Sequence, residues 1–154
     1  MDETDIILLR SLTENADITA TELMNSVNLS IPAINKRIAR LKSTGTIRRV
    51  TVLTEPKKVG KSVLAYVLVV LDHFSEGDKL MKLVHSDGDI LECYAFTGEY
   101  DFLLKICAAD IEAFEEKLLK LKKCGVAKSH TMFTLCEHKF RPTALPDTQE
   151  ALKK

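Results

Sequence analysis

Apolar positions along this chain recur in two rhythms, and the change of rhythm divides it. From Thr4 to Leu12, the side chains Leu8, Leu9 and Leu12 fall at spacings that line one face of a helix, and Asn15-Ala16-Asp17 breaks it. Thr19-Ala20-Thr21-Glu22 has the form of a capping box, in which the hydroxyl and the carboxylate each satisfy a backbone N–H. It predicts a second, short helix ending near Val27-Asn28. Ser30 is a candidate N-cap for a third helix, with Pro32 tolerated in its first turn and Gly45 as its stop. Ile34, Ile38 and Leu41 make its apolar stripe, expected to pack on Leu8, Leu12, Leu23 and Val27. The β-branched run Ile47 to Leu53 then predicts a short strand or hairpin, and Glu55 to Lys61, with Pro56 and Gly60, a linker.

Beyond the linker the pattern alternates. Val63 to Leu71 predicts a buried strand, and Glu76 to His85 a helix with Leu80, Leu83 and Val84 inward. Ile90 to Phe96 and Tyr100 to Ala108 predict strands joined by a tight turn at Gly98-Glu99. Asp110 caps a helix facing the core with Ile111, Phe114, Leu118 and Leu121, ended by Gly125, and Ala127 to Cys136 predicts a last strand. The order βαββαβ is the ferredoxin-like split βαβ arrangement. The expected fold is therefore α+β: a winged helix-turn-helix over residues 1–54, a linker over 55–61, a ferredoxin-like domain over 62–145 and a tail over 146–154. An apolar strand or loop is expected at Phe140 to Leu145.

Composition narrows the classes. Of 154 residues, 45% are hydrophobic and 29% charged, which suits globular domains and argues against disorder. The longest apolar run, Val63 to Leu71, is far short of the roughly 20 residues that cross a bilayer, and the acidic start lacks the look of a secretory signal. A cytoplasmic location is the expectation. Cys93, Cys107, Cys124 and Cys136 include no Cys-x-x-Cys pair and are expected reduced and mostly buried. His73, His85, His130 and His138 show no metal-ligand spacing, so no metal or cofactor is expected.

The formal net charge is zero, yet the charges are segregated. Residues 1–29 hold Asp2, Glu3, Asp5, Glu14, Asp17 and Glu22 against Arg10 alone. Between Ser30 and Gly60, Lys36, Arg37, Arg40, Lys42, Arg48, Arg49, Lys57 and Lys58 are opposed only by Glu55. A helix held from behind by an apolar core, with donors on its exposed face, fits a DNA major groove about 12 Å wide. Asn35, Lys36 and Arg40 are the candidates for groove contacts. Arg37, Lys42, Arg48 and Arg49 are the candidates for the phosphate backbone, and Ser30 at the helix start completes the DNA-binding set. The alternative is a charged, solvated helix face.

Two blocks of residues carry a resemblance. The first is Asp5-x-x-Leu8-Leu9-x-x-Leu12, Leu29-Ser30, Lys36-Arg37-Ile38-x-Arg40-Leu41-x-x-x-Gly45-x-Ile47 and Pro56-Lys57-Lys58-x-Gly60. The second is Glu92-Cys93-Tyr94-x-x-Thr97-Gly98-x-Tyr100-Asp101-Phe102-Leu103-Leu104-Lys105. Together they resemble the Lrp/AsnC family of leucine-responsive, or feast/famine, transcriptional regulators over nearly the whole chain. The resemblance implies a double-stranded DNA partner and a homo-oligomer of dimers that pair sheet to sheet, often as octamers. It also implies a small-molecule effector, an amino acid, bound at an interface near Thr97, Gly98, Glu99, Tyr100 and Asp101. Where the family has Pro before the second strand, this chain has Asp87-Gly88-Asp89, and its usual Leu-Pro-Gly-Val is Lys123-Cys124-Gly125-Val126. Both are turn changes, expected to leave the fold alone.

The residues themselves leave two roles open for Thr97 to Asp101. It is a hairpin connection that Tyr100 and Asp101 pack and cap, or a site where backbone N–H groups receive a carboxylate and Asp101 an ammonium. The architecture also resembles sirohaem decarboxylases. Such an enzyme would place Arg and His around a cavity, whereas Arg141 is the one arginine of the second half, and no enzymatic activity is expected. An architectural DNA-coating protein would share every DNA-binding feature but lack an effector and a preferred site.

Overall fold

The computed structural model describes residues 1–146; the expected tail beyond Pro146 lies outside the described residues. The chain forms two compact units, one containing Met1–Val52 and the other Leu53–His138. Neither holds a helix long and apolar enough to cross a membrane, among the described residues.

The first unit is three helices. Helix α1 spans Glu3–Glu14 and opens on a capping box in which Asp2 and Asp5 each satisfy the other's N–H. Helix α2, Ala20–Met24, opens on the expected box of Thr19 and Glu22. It is shorter than expected, because the chain leaves it in a turn that buries Val27 through a bond from its N–H to the Leu23 carbonyl. Helix α3, Ile31–Ser43, starts at Ser30, which has the extended backbone of an N-cap although its hydroxyl makes no capping bond. Leu8, Leu23, Val27 and Ile34 form the core, with Ile7, Ile18, Ala20, Leu29 and Ile38 against it. The expected strand from Ile47 to Leu53 does not form: the segment joins no ladder, and Val52 is 82% exposed. β-propensity describes fitness for a sheet, and no neighbouring strand offers this segment a ladder.

The second unit is one antiparallel sheet under two helices. Its strands are β1 (Val63–Leu71), β2 (Ile90–Ala95), β3 (Phe102–Ala108) and β4 (Val126–Phe133), in the order β2-β3-β1-β4. Helix α4 (Gly77–Ser86) connects β1 to β2 and α5 (Ile111–Lys123) connects β3 to β4, the expected split βαβ arrangement. Ala65, Val67 and Val69 of β1 join Leu104, Ile106 and Ala108 of β3 on one face, beneath Leu80 of α4 and Phe114 and Leu121 of α5. The segment before β1 carries a short 3-10 turn, Pro56–Val59, ended by Gly60 at φ 79°. Gly125 joins α5 to β4 at φ 87°, where its carbonyl accepts from the Asp72 N–H and a Cβ would lie 2.6 Å from Glu76 Cγ. Both geometry and space require glycine there. Residues from Phe140 to Leu145 form no strand.

On α5 the inward face differs from the expectation. Ile111 is exposed, and the fourth inward place goes to Lys117, 8% exposed. Its ammonium bonds both oxygens of Asp87, at 2.8 and 2.9 Å, and reaches Asp89 at 2.9 Å, while Lys61 pairs with Asp89 at 2.7 Å. The Asp-Gly-Asp turn is thus a charged socket for a lysine. Burial disfavours the charge on Asp87, but the Lys117 hydrogen bonds outweigh it and hold its carboxyl below the ordinary value. The bonds from Lys61 and Lys117 do the same for Asp89. Burial likewise opposes the Lys117 charge, and its two aspartates outweigh burial and raise its pKa. The thiols are more open than expected: Cys107 is buried, Cys93 and Cys124 half-buried and Cys136 exposed, all unpaired.

Lys117→Met is expected to destabilise the chain by about 3 kcal/mol at neutral pH, because it leaves Asp87 buried without its main partner. A carboxyl whose folded pKa is depressed contributes stability above its unfolded value, here 3.8, and loses it as pH falls through the folded one. Lys117, raised above 10.5, contributes in full below that value. The deficit should therefore hold steady from about pH 5 to pH 10 and shrink below about pH 4. Urea titrations of both proteins across that range check it; a deficit undiminished at pH 3 would mean that Lys117 acts by packing.

Candidate nucleic-acid interface and effector turn

The expected recognition helix is amphipathic as drawn from the sequence, with Ile34 and Leu41 buried and Asn35, Lys36 and Lys42 exposed. Gly45, at φ 76°, turns the chain back, and the Ile47 N–H closes on the Leu41 carbonyl at 2.9 Å. Arg48 and Arg49 follow on the exposed segment. Lys36, Lys42, Arg48 and Arg49 have no ion-pair or hydrogen-bond partner among the described residues, so their charges face solvent.

Arg37 and Arg40 are placed differently. Both turn from α3 towards the start of α1. Arg37 Nη1 donates to both oxygens of Asp2, at 2.8 and 2.6 Å, and to Asp5 Oδ1 at 2.9 Å. Arg40 Nη2 donates to Asp5 Oδ2 at 2.5 Å. Asp5 is wholly buried and also accepts from the Asp2 N–H at 3.2 Å. A buried carboxylate needs such donors, since leaving it bare costs far more than any one bond returns. Sequence reasoning missed this cluster. Its signal was the acidic pair at the start of α1, two helices away from the arginines it serves.

The connection from β2 to β3 runs from Phe96 to Asp101, inside the closing pair Ala95 and Phe102. Gly98, at φ 119°, makes the reversal. Asp101 fastens it to the neighbouring strand twice: its N–H donates to the Val69 carbonyl at 2.9 Å, and its Oδ2 accepts from the Leu71 N–H at 2.8 Å. The carboxylate thus stands in for the next rung of the ladder, which is why β3 begins at Phe102 and not Tyr100. Glu99 pairs with Lys128 of β4 at 2.8 Å, and the same ammonium lies 5.4 Å from the Tyr100 ring centre. The Lys128 bond holds the Glu99 carboxyl below its ordinary value. The N–H groups of Gly98, Glu99 and Tyr100 meet no acceptor among the described residues. Beside the turn lies a recess lined by Leu71, Ser75, Gly77, Asp78, Met81 and Phe102.

Comparison with known proteins gives both units a lineage. Residues 1–48 match the winged helix-turn-helix DNA-binding family, and residues 64–144 the Lrp/AsnC ligand binding domain. The transcriptional regulator AzlB of Bacillus subtilis is 31% identical over 121 residues, 77% of each protein. The HTH-type transcriptional regulator FL11 of Pyrococcus abyssi is 30% identical over 147 residues, 95% of this chain and 96% of that one. Among solved structures, transcriptional regulator NMB0573 of Neisseria meningitidis, in complex with L-Met, superposes with a TM-score of 0.88 at 31% identity, over 97% of this chain and 98% of that one.

The two groups of cations should respond differently to mutation. Lys42→Ala or Arg48→Ala is expected to leave the melting temperature unchanged, weaken binding to any duplex and reduce the salt slope by about 0.9 for each phosphate no longer neutralised. Arg40→Ala is expected to lower stability by about 1–3 kcal/mol as well, because Asp5 stays buried with one donor fewer. Thermal melts and duplex titrations at several salt concentrations read both effects.

Proposed function

The chain belongs to the Lrp/AsnC family of transcriptional regulators, and we propose that it reads a specific DNA site as a homo-oligomer tuned by a free amino acid. For DNA, the supporting observation is the sorting of charge around α3. Asn35, Lys36 and Lys42 on the helix and Arg48 and Arg49 beyond it present unpaired donors on a surface backed by the aliphatic core. Base-edge contacts then fall to Asn35 and Lys36, and phosphate contacts to Lys42, Arg48 and Arg49, with Ser30 at the entrance of the helix.

For the effector, the supporting observation is the row of N–H groups at Gly98, Glu99 and Tyr100 that meet no acceptor among the described residues. Backbone donors held on a rigid turn suit a carboxylate. Thr97 and Gly98 open the turn, and Glu99 and Asp101 bring negative charge for an ammonium close by. A free amino acid carries both charges a few bonds apart. The neighbour from Neisseria, bound to L-Met, favours this ligand class.

For assembly, the supporting observation is the uncovered face of the sheet. Leu64, Tyr66, Leu68 and Val70 alternate with the buried residues of β1, and Leu103 and Met132 lie beside them in register. A second copy laid on this face would cover an apolar surface that neither α4 nor α5 covers. A two-fold dimer then demands a roughly palindromic site, its half-sites a helical turn or more apart. Larger multiples of dimers extend the same logic.

Two experiments test these readings. A thermal-shift screen of the twenty amino acids should find at least one that stabilises the protein, by about 2.7 kcal/mol at a hundred times its Kd. Asp101→Asn keeps an oxygen for the Leu71 N–H, so it should preserve the turn while weakening that shift. Failure of all twenty to stabilise the protein would refute the amino-acid reading. Light scattering at micromolar concentration should give a dimer or a multiple of it, and Leu68→Asp should shift the population towards monomer; a wild-type monomer would refute the assembly.

A further inference from the structure

Asp2 and Asp5 both hold Arg37, but they stand in different places. Asp5 is inside the unit, and its oxygens are committed to Arg37, Arg40 and the Asp2 N–H. Asp2 lies at the surface, its side chain 53% exposed. As N-cap it accepts from the Asp5 N–H at 2.9 Å, a service that asparagine or serine performs equally well. Capping therefore does not need its charge. That charge does one further thing: it neutralises the guanidinium of Arg37, whose hydrogen bond in turn holds the carboxyl below its ordinary pKa.

Arg37 flanks the exposed face of α3, one position from Lys36 and one turn from Arg40 and Lys42. Only Nη1 is engaged by the two aspartates; Nη2 and Nε have no partner among the described residues. A guanidinium binds carboxylate and phosphate through the same forked geometry. Resting on the reading of α3 as the helix that enters the groove, we propose that Asp2 is a built-in competitor for DNA: Arg37 exchanges Asp2 for a phosphate oxygen on binding, while Asp5 keeps the arginine in place. Asp5 is then a positioning residue, and Asp2 sets how tightly the unit grips any duplex. The exchange releases a carboxylate for every phosphate gained, so this contact adds nothing to the net charge neutralised. Wild-type binding should be weaker and less salt-dependent than the number of cations on the surface suggests.

Asp2→Asn and Asp2→Ser, which keep a capping oxygen and remove the charge, test this in the full-length chain. Duplex binding would be followed by fluorescence anisotropy between 50 and 200 mM salt (about the range in which phosphate contacts are most visible). Arg37→Ala and the Asp2→Asn/Arg37→Ala double variant complete the cycle. The expected result is severalfold tighter binding by both Asp2 variants at low salt and a salt slope steeper by about 0.9. Both gains should vanish in the Arg37→Ala background. Asp2 variants that bind no tighter than wild type, or that tighten as much without Arg37, would overturn the proposal, the second by reducing it to a net-charge effect. A wild-type chain that binds no duplex at any salt would overturn the DNA-binding reading and the competitor with it. Wild-type binding left unchanged by Asp2→Asn would overturn the competitor alone.

Discussion

A carboxylate removed from water must find hydrogen-bond donors, and a buried ammonium must find acceptors. Each unit of this chain is closed around one such group. In the first, Asp5 gathers Arg37, Arg40 and a backbone N–H, and so ties the start of α1 to the middle of α3. In the second, Lys117 gathers Asp87 and Asp89, and so ties α5 to the turn ahead of β2, where Lys61 joins the same cluster. Apolar burial supplies most of the driving force in both units, but it is non-directional. The charged groups supply direction: the rotation of α3 that buries Ile34 and Leu41 is also the one that puts both arginines on Asp5.

That constraint decides how the DNA-facing charge is divided. Six cations follow one another from Lys36 to Arg49, and by composition they are equivalent. The fold uses Arg37 and Arg40 to satisfy an internal acid and leaves Lys36, Lys42, Arg48 and Arg49 to solvent. Arginine suits the internal task because a single guanidinium nitrogen can hold the acid while the rest of the group stays partly exposed. A net charge of zero is compatible with a basic surface because the charges are segregated: of the acids near the N-terminus Asp5 is buried, and Asp2 pairs with Arg37.

Most of the fold was legible because the signals were local. The Val63–Leu71 run is a strand with the bounds its apolar residues suggested, and the capping box at Thr19 starts a helix as written. What escaped depended on partners distant in the chain. Lys117 occupies the position between Phe114 and Leu121 that helical spacing marks as inward, but its type argued for solvent until Asp87, 30 residues earlier, came into view. The pairing of Arg37 with Asp2 and Asp5 spans 35 and 32 residues, so nothing in the sequence around α3 announced it. The segment from Ile47 to Leu53 had the composition of a strand, and propensity cannot supply the strand it would pair with. The turn change Asp87-Gly88-Asp89 looked neutral, and it proved to hold the main charged contact of the second unit.

In the turn from Phe96 to Asp101 a structural role and the proposed ligand-binding role need not compete. Asp101 spends its N–H and one carboxylate oxygen on β1, which makes the turn rigid. The N–H groups of Gly98, Glu99 and Tyr100 are left without an acceptor among the described residues. A floppy connection would find internal acceptors and present a carboxylate with nothing organised; a fixed one holds its donors outward and gives up little freedom when they are used. Glu99 adds a condition. Its carboxylate is held by Lys128, so a ligand's ammonium arriving there meets an acid already paired, and binding is an exchange of partners rather than a simple gain. The exposed pair is weak enough for such an exchange. Arg37 at Asp2 presents the same chemistry in the other unit: a surface ion pair that occupies, at modest strength, the group an incoming charged partner requires.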